Sequence, residues 1–419
     1  MPLFPGHACM YTIVKPGLGR LPWVLFGIAA CFALLLLALK SRASGDVDTV
    51  VLKAAGPLPA WKPGTGWATA TPPALHAGEA MTIPRYPPWT DVQATNLFVP
   101  GSNELVDPWC GKLWKPNIHF TMVFPEHPDK AIHFDTNSRS MREDTDPLAT
   151  KPALRVLVAG DSHTDGVCNN SESFPNLTEA WLRTRAEMQA KARGQTLDPS
   201  SIEVLNAGKG THSFFNYLGV LEKNLDLQPD VFVVNIYGGN DFEEVLSPWH
   251  FFFNKGNRPP GAARYEAEIT AAVKVRKPAL AQAMISVKYF DANPDQKAVA
   301  VQAASDIFVQ IQALCRERGI RLIVLYLPPW QDVEPNKPEV QLRQLLNALK
   351  LEPKALASTG EMADQLLARL SDLGIETVDL RPTIRAAPKS AYWSTDWHIN
   401  LLGHQLIARV LTKVLSERP

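Results

Sequence analysis

The chain has 419 residues, more than one ordinary core organises, so at least two folded parts are expected. Lys and Arg total 42 against 42 for Asp and Glu, which removes the electrostatic case for nucleic acid or a strongly acidic partner. Hydrophobic residues make up 46%, enough for a sizeable globular core.

Residues 1–20 read as a short cytoplasmic N-terminus. Leu21–Leu39, "LPWVLFGIAACFALLLLAL", carries no charge and as a helix just spans a bilayer. Lys15 and Arg20 before it nearly balance Lys40 and Arg42 after it, so flanking charge orients it only weakly. It is long for a cleaved signal and lacks a small-x-small exit, which favours a transmembrane signal anchor. Two other readings stay open. "IAAC" (Ile28–Cys31) is similar to a lipoprotein processing site, although the apolar run continues past Cys31, and a charge-free run can also be a buried helix. The anchor reading predicts a single pass through a bacterial inner membrane, with the rest of the chain periplasmic.

Residues 40–91 follow as a linker, dense in Pro and Gly from Ala54 onward ("AAGPLPAWKPGTGWATATPPALHAG"), stiff and extended. Residues 92–150 hold short strand-like runs, "HFTMVF" and "KAIHF", among turn residues, and predict a small β-rich subdomain. The five cysteines, Cys9, Cys31, Cys110, Cys168 and Cys315, form no CxxC and suggest no zinc site. Cys315 sits on an apolar stripe and reads as core. A Cys110–Cys168 bridge is left open for an oxidising compartment.

From Lys151 the pattern changes. The runs "LRVLVAG", "IEVLNAG", "VFVVNIYGG", "IRLIVLYLPP" and "ETVDL" are mostly continuous rather than alternating, as suits strands buried on both faces. Helical stripes separate them. Ala304, Ile307, Phe308, Ile311, Leu314 and Cys315 share a face that ends at Gly319. Ser358 and Glu361 are spaced as a capping box, and Leu402, Leu406, Val410 and Val414 face one way near the C-terminus. Residues 151–419 are therefore expected to form an α/β domain, a parallel sheet between helical layers, with its ligand site beyond the carboxyl ends of the strands.

Reactive side chains gather at those ends. The first strand ends in "GDSHTDG", the second in "NAGKGTHS" (Asn206–Ser213), the third in "GGND" (Gly238–Asp241), and a late loop reads "STDWHIN" (Ser394–Asn400). Ser162 at a tight strand-to-helix turn can attack a carbonyl. His398 can take its proton and Asp396 can hold the imidazole. Backbone N–H groups and the Asn240 amide can face a developing oxyanion. "GKGTHS" lacks the glycines of a phosphate loop or a dinucleotide fingerprint. Asp161, His163, Asp165, Asn240, Asp396 and His398 could instead ligate two metals, but such sites begin with Asp-x-His and here that pair comes last.

The ordered set resembles the SGNH hydrolases, the GDSL-type esterase superfamily, whose Ser, Gly, Asn and His blocks all have counterparts in order from Ala153 to the C-terminus. The resemblance implies a flavodoxin-like three-layer α/β/α fold. It also implies Ser162 as nucleophile, His398 as base with Asp396, and an oxyanion hole of the Ser162 N–H, Asn240 and a glycine, Gly210 before Gly208. Two departures stand out. The last block is Asp396-Trp397-His398 rather than Asp-x-x-His, and the second block is one residue short between Asn and the donor glycine.

The expected function is serine-dependent hydrolysis of O-acyl esters, O-acetyl above all, on cell-envelope carbohydrate. Two alternatives stand beside it: O-acetyl transfer to exopolysaccharide by the same triad, and a non-catalytic polysaccharide-binding or scaffold domain. No cofactor or metal is required, and the expected partners are an acyl-ester or glycan substrate and the inner membrane. Asp161 and Asp241 read as turn-builders. His163, His212 and Asp165 read as exposed loop residues. Trp249 and Phe251–Phe253 divide evenly between cleft wall and core, and Asn254–Gly261 reads as a mobile loop near the site.

Overall fold

The computed structural model describes residues 13–14, 100–196, 198–253, 265–269, 278–333 and 339–417. The predicted anchor Leu21–Leu39, the linker 40–91 and the loop 254–261 lie outside the described residues.

Ten strands are described. The first, β1 (Ile13–Val14), lies antiparallel to β4. Two antiparallel hairpins follow: β2 (Glu104–Asp107) with β3 (Gly111–Trp114), and β4 (His119–Val123) with β5 (Ala131–Asp135). The main sheet contains β6 (Leu154–Gly160), β7 (Ile202–Asn206), β8 (Val231–Tyr237), β9 (Arg321–Leu327) and β10 (Glu376–Asp379), all parallel, in the order β10-β9-β8-β6-β7. The buried β-branched runs of β6, β8 and β9 make its centre, and half-buried β10 closes one edge.

Helices cover both faces. On one, α2 (Phe174–Ala192) packs against β7 and against α7 (Leu401–Glu417), the last helix described. On the other lie α3 (Phe214–Lys223), α5 (Asp295–Arg318) and α6 (Ser358–Asp372), contacting β6, β8, β9 and β10 among them. This is the three-layer α/β/α arrangement expected. The strand order reverses at β6, which has β7 on one side and β8 on the other, and that reversal opens a crevice at the carboxyl ends. By length and composition α5 could cross a membrane, but most of it is buried against the sheet and its neighbours, the behaviour of a core helix.

One local expectation needs correction. The capping box at Ser358 and Glu361 does not form. The chain enters α6 from a 3-10 turn over Pro353–Ala357, Ala357 holds the N-cap position without a side-chain bond, and Ser358 is buried. Cys110 and Cys168 are separate free thiols, both buried. Burial raises the Cys168 thiol above its ordinary range, and its Sγ lies 3.4 Å from His404 Nε2. The β-rich segment shares apolar clusters with the later chain. Cys110, Leu113 and Met141 belong to the main core, while Met122, Phe124 and Ile132 form a second cluster with Val167 and Trp393 of the later chain.

One side chain fastens this segment to the sheet. Arg142 is fully buried, with its guanidinium 3.8 Å over the Phe134 ring. Nη1 donates to the carbonyls of Asp165 and Gly166 (both 2.9 Å), Nη2 to that of Cys168 (2.6 Å), and Nε to Asn170 Oδ1 (2.5 Å). The Asp165 carboxylate stands 3.6 Å away as counter-charge. Replacing Arg142 with Met should strand these buried carbonyls and leave Asp165 unpaired, at a cost of about 3–5 kcal/mol. Urea unfolding of the two proteins side by side checks it.

Candidate active site

The first element to shape the site is the turn after β6. Gly160 cannot carry a side chain, because a Cβ there would lie 2.0 Å from Thr164 Oγ1. Asp161 caps the short helix α1 (Ser162–Asp165), its Oδ1 accepting from the His163 N–H at 2.9 Å. Ser162 thus begins a helical turn two residues beyond the strand, at the crevice where the strand order reverses.

The partner loop comes from the far end of the chain. Residues 391–400 double back on themselves, with Tyr392 bridged to Ile399 and the Trp393 N–H donating to the His398 carbonyl at 2.8 Å. His398 Nε2 lies 2.9 Å from Ser162 Oγ. His398 Nδ1 lies 3.2 Å from Asp396 Oδ2, and Asp396 Oδ1 accepts from the His398 N–H at 2.9 Å. Asp396 therefore holds both the ring and the backbone of a residue only two positions on. Trp397, between them, has φ 70°, a left-handed conformation that costs a non-glycine residue about 1–2 kcal/mol. Its ring packs edge-on against Trp330, with centroids 3.9 Å apart. The contracted Asp-x-His spacing is thus accommodated by backbone strain.

Charge is arranged around one imidazole. Burial pushes His398 down, but the charge and hydrogen bond of Asp396, together with Asp161 and Asp165, outweigh it, and the pKa is raised. Burial drives Asp161 up to about 7, above the opposing pull of the His163 N–H and His398. The hydroxyl of Ser162 lies 3.5 Å from Asp161 Oδ2, a poorer contact than the one to His398. His163 is held well below its ordinary value, first by burial and then by the charges of His398 and His404. Its Nδ1 accepts from the Ile399 N–H at 3.2 Å, so the proton sits on Nε2 and the ring serves as a neutral prop for the His398 loop.

The oxyanion candidates separate clearly. The Gly208 N–H donates to Asn206 Oδ1 at 3.0 Å, and a Cβ there would strike the Asp165 backbone nitrogen at 2.5 Å, so this glycine is required for packing. Gly210 stands beside Ser162. A Cβ on it would meet Ser162 Cβ at an ordinary 3.6 Å, and its N–H has only a long 3.4 Å contact with Asp165 Oδ2. Asn240 follows β8 at the start of α4 (Asp241–Glu244), one Nδ2 hydrogen donated to Glu244 Oε1 at 2.9 Å and its Oδ1 buried. Asp241 is fully buried and anchors this turn, accepting from the Tyr237 N–H (3.0 Å) and the Tyr217 hydroxyl (2.7 Å).

His163, His212 and Asp165, expected on exposed loops, are instead buried. The hairpins cover Asp165 and His212, whereas Tyr237 and the His398 loop enclose His163. Trp114 Nε1 donates to Asp165 Oδ1 at 3.2 Å, and His212 Nε2 donates to the Lys112 carbonyl at 2.6 Å. Lys209, between two glycines of the second block, lies 3.9 Å over the Trp114 ring and donates to Glu104 Oε1 at 2.6 Å and to the Gly210 carbonyl at 3.0 Å. Burial alone would raise Glu104, but Lys209 and Lys112 bring it to about 2. Sequence reasoning missed Trp114, Arg142 and Glu104, because no local pattern marks a side chain that acts on a turn far along the chain.

A family model described as the SGNH hydrolase-like domain of the acetyltransferase AlgX matches residues 287–419. The matched stretch holds Asp396 and His398, whereas Ser162, Gly210 and Asn240 precede it. No curated protein matches the sequence. Among solved structures, the chain is similar to LAE5, an alpha/beta hydrolase from the metagenome of Lake Arreo, Spain, at 15% identity over 64% of this chain and 97% of that one, with a TM-score of 0.36. The acetyl xylan esterase AlAXEase gives 14% identity over 62% and 100% with a TM-score of 0.34. A catalytic mutant of Axe2, an acetylxylan esterase from Geobacillus stearothermophilus, gives 14% over 64% and 95% with a TM-score of 0.33.

The two glycines should respond oppositely to one methyl group. Gly208→Ala drives a Cβ into backbone and should destabilise by about 1–3 kcal/mol or more, whereas Gly210→Ala should melt with the parent. Thermal denaturation of both variants checks the contrast.

Proposed function

We propose that the protein is a serine esterase acting on O-acyl esters, O-acetyl above all, carried by cell-envelope carbohydrate. The hydrogen-bonded chain from Ser162 Oγ through His398 to Asp396 carries this reading. As Oγ attacks the ester carbonyl, His398 Nε2 takes its proton and Asp396 stabilises the imidazolium through Nδ1–H. The negative charge moves to the carbonyl oxygen, where the Ser162 N–H, the Gly210 N–H and the second Asn240 Nδ2 hydrogen are the assigned donors. Collapse breaks the ester C–O bond, His398 returns the proton to the leaving alkoxide, and the acyl group stays on Ser162. Water, deprotonated by His398, then releases the carboxylic acid.

A second reading replaces that water with a sugar hydroxyl, giving O-acetyl transfer. The acetyltransferase description of the matching family model favours it. Both readings use the same residues and differ only in the acceptor. Leu21–Leu39 and the Pro-rich stretch after it support placing the domain outside the cytoplasm, tethered to the inner membrane.

A serine-reactive phosphonate should label Ser162, and the protein should release acetate from nitrophenyl acetate or acetylated oligosaccharides. Ser162→Ala should abolish both, and Asn240→Ala should lower kcat by roughly 10²–10³-fold with little change in KM. Acetate appearing on added sugar rather than free in solution would select transfer, and a protein neither labelled nor active would leave the non-catalytic alternative.

The base must be neutral to work. With its pKa raised by Asp396, His398 should set an acid limb of kcat/KM above the ordinary histidine value of 6.5. Asp396→Asn removes the raising charge and leaves burial, so the limb should move to lower pH while kcat falls by up to roughly 10⁴-fold. A pH–rate profile of both proteins reads the direction, and an unmoved limb would remove Asp396 from this role.

A further inference from the structure

We propose that Glu126, in the turn between β4 and β5, is a positioning residue that sets the geometry of the Asp396–His398 pair. Its carboxylate gathers four donors from two consecutive residues at the head of the late loop. Oε2 accepts from the Ser394 N–H (2.7 Å) and hydroxyl (2.6 Å), and Oε1 from the Thr395 N–H (2.6 Å) and hydroxyl. Asp396 is the next residue.

Ser394 and Thr395 are exposed, so water could satisfy these donors equally well. Pinning the backbone is therefore the carboxylate's contribution, not relief of desolvation. The loop needs that restraint, because Trp397 is held left-handed between Asp396 and His398, and strained backbone persists only where its surroundings over-determine it. The same hairpin grips the loop at a second point. Phe124 packs edge-on against Trp393, with centroids 5.2 Å apart, and Trp393 Nε1 donates to the Val167 carbonyl, two residues past α1. The hairpin thus holds the late loop at two points, and Trp393 ties that loop to the segment after α1.

The inference rests on the reading of His398 as the base, and its test separates the two. Glu126→Ala should fold with a near-parental melting temperature, because it removes only half-exposed contacts. On an acetyl ester its kcat should fall at least about tenfold and up to roughly 10²-fold with KM unchanged, the signature of a misplaced catalytic group. The downfield NMR resonance of the His398 Nδ1 proton, hydrogen-bonded to Asp396, should be lost or broadened by exchange. Glu126→Gln, which keeps one acceptor oxygen but turns an NH₂ toward the other donors, should fall between parent and Ala, and is read alone if the Ala variant does not fold. A folded variant with parental kcat and a parental Nδ1 resonance would overturn the proposal. Should the parent prove unreactive toward phosphonate and esters, the functional reading fails, and the resonance alone decides on Glu126: its persistence in the variants sinks the proposal and its loss sustains it.

Discussion

A buried guanidinium is the constraint on which the site depends. After α1 the chain runs through Asp165–Asn170 beside the sheet but outside any ladder, so its carbonyls are buried without strand partners. A lysine has too few directed donors for such a set. Arg142 presents a planar fork that reaches three carbonyls and the Asn170 side chain at once, and its flat face rests on Phe134. Such a charge is tolerable in the interior only because every donor edge is used and Asp165 answers it. The β-rich segment is for that reason structurally part of the α/β domain.

The electrostatic pattern follows from burial. Four carboxyl groups, Asp161, Asp165, Asp241 and Asp396, stand near one another with few cations. Burial resolves the crowding by lifting Asp161, Asp165 and Asp241 above the ordinary carboxylate range. His163 and His404 go the other way, both held neutral by burial. His398 alone among these imidazoles has its charged form favoured. A positive charge arriving there is answered by Asp396 at Nδ1, beside two imidazoles that burial keeps neutral.

The layers of the fold, the three blocks at the strand ends and the late loop were legible in the amino-acid sequence, because all are local signals. A buried parallel strand is a continuous β-branched run, and its end is marked where that run meets Gly and polar residues. What escaped was everything carried between distant segments. Arg142 sits in "SRSMREDTD", which reads as a solvated turn, and nothing nearby shows that the carbonyls of Asp165, Gly166 and Cys168 await it. His163, His212 and Asp165 looked exposed because polar loop residues usually are, and segments distant in sequence make them interior: the hairpins over His212 and Asp165, and Tyr237 with the His398 loop around His163. The box at Ser358 and Glu361 failed for a similar reason: the preceding 3-10 turn already delivers the chain in helical geometry and leaves the cap nothing to do.

The pairing of α2 with α7 reaches beyond static structure. The helix that follows Ser162 packs against the last helix described, far along the chain, and β6 pairs with β7 and β8, both of them made after it. Such contacts are the slowest for a chain to find. While the polypeptide is still being synthesised, Ser162 has been made but the imidazole that will face it has not. The loop bearing His398, and the helix that closes the layer over it, emerge well after Ser162. A half-made chain therefore carries Ser162 without His398, and the hydrogen bond between them forms only when that layer docks.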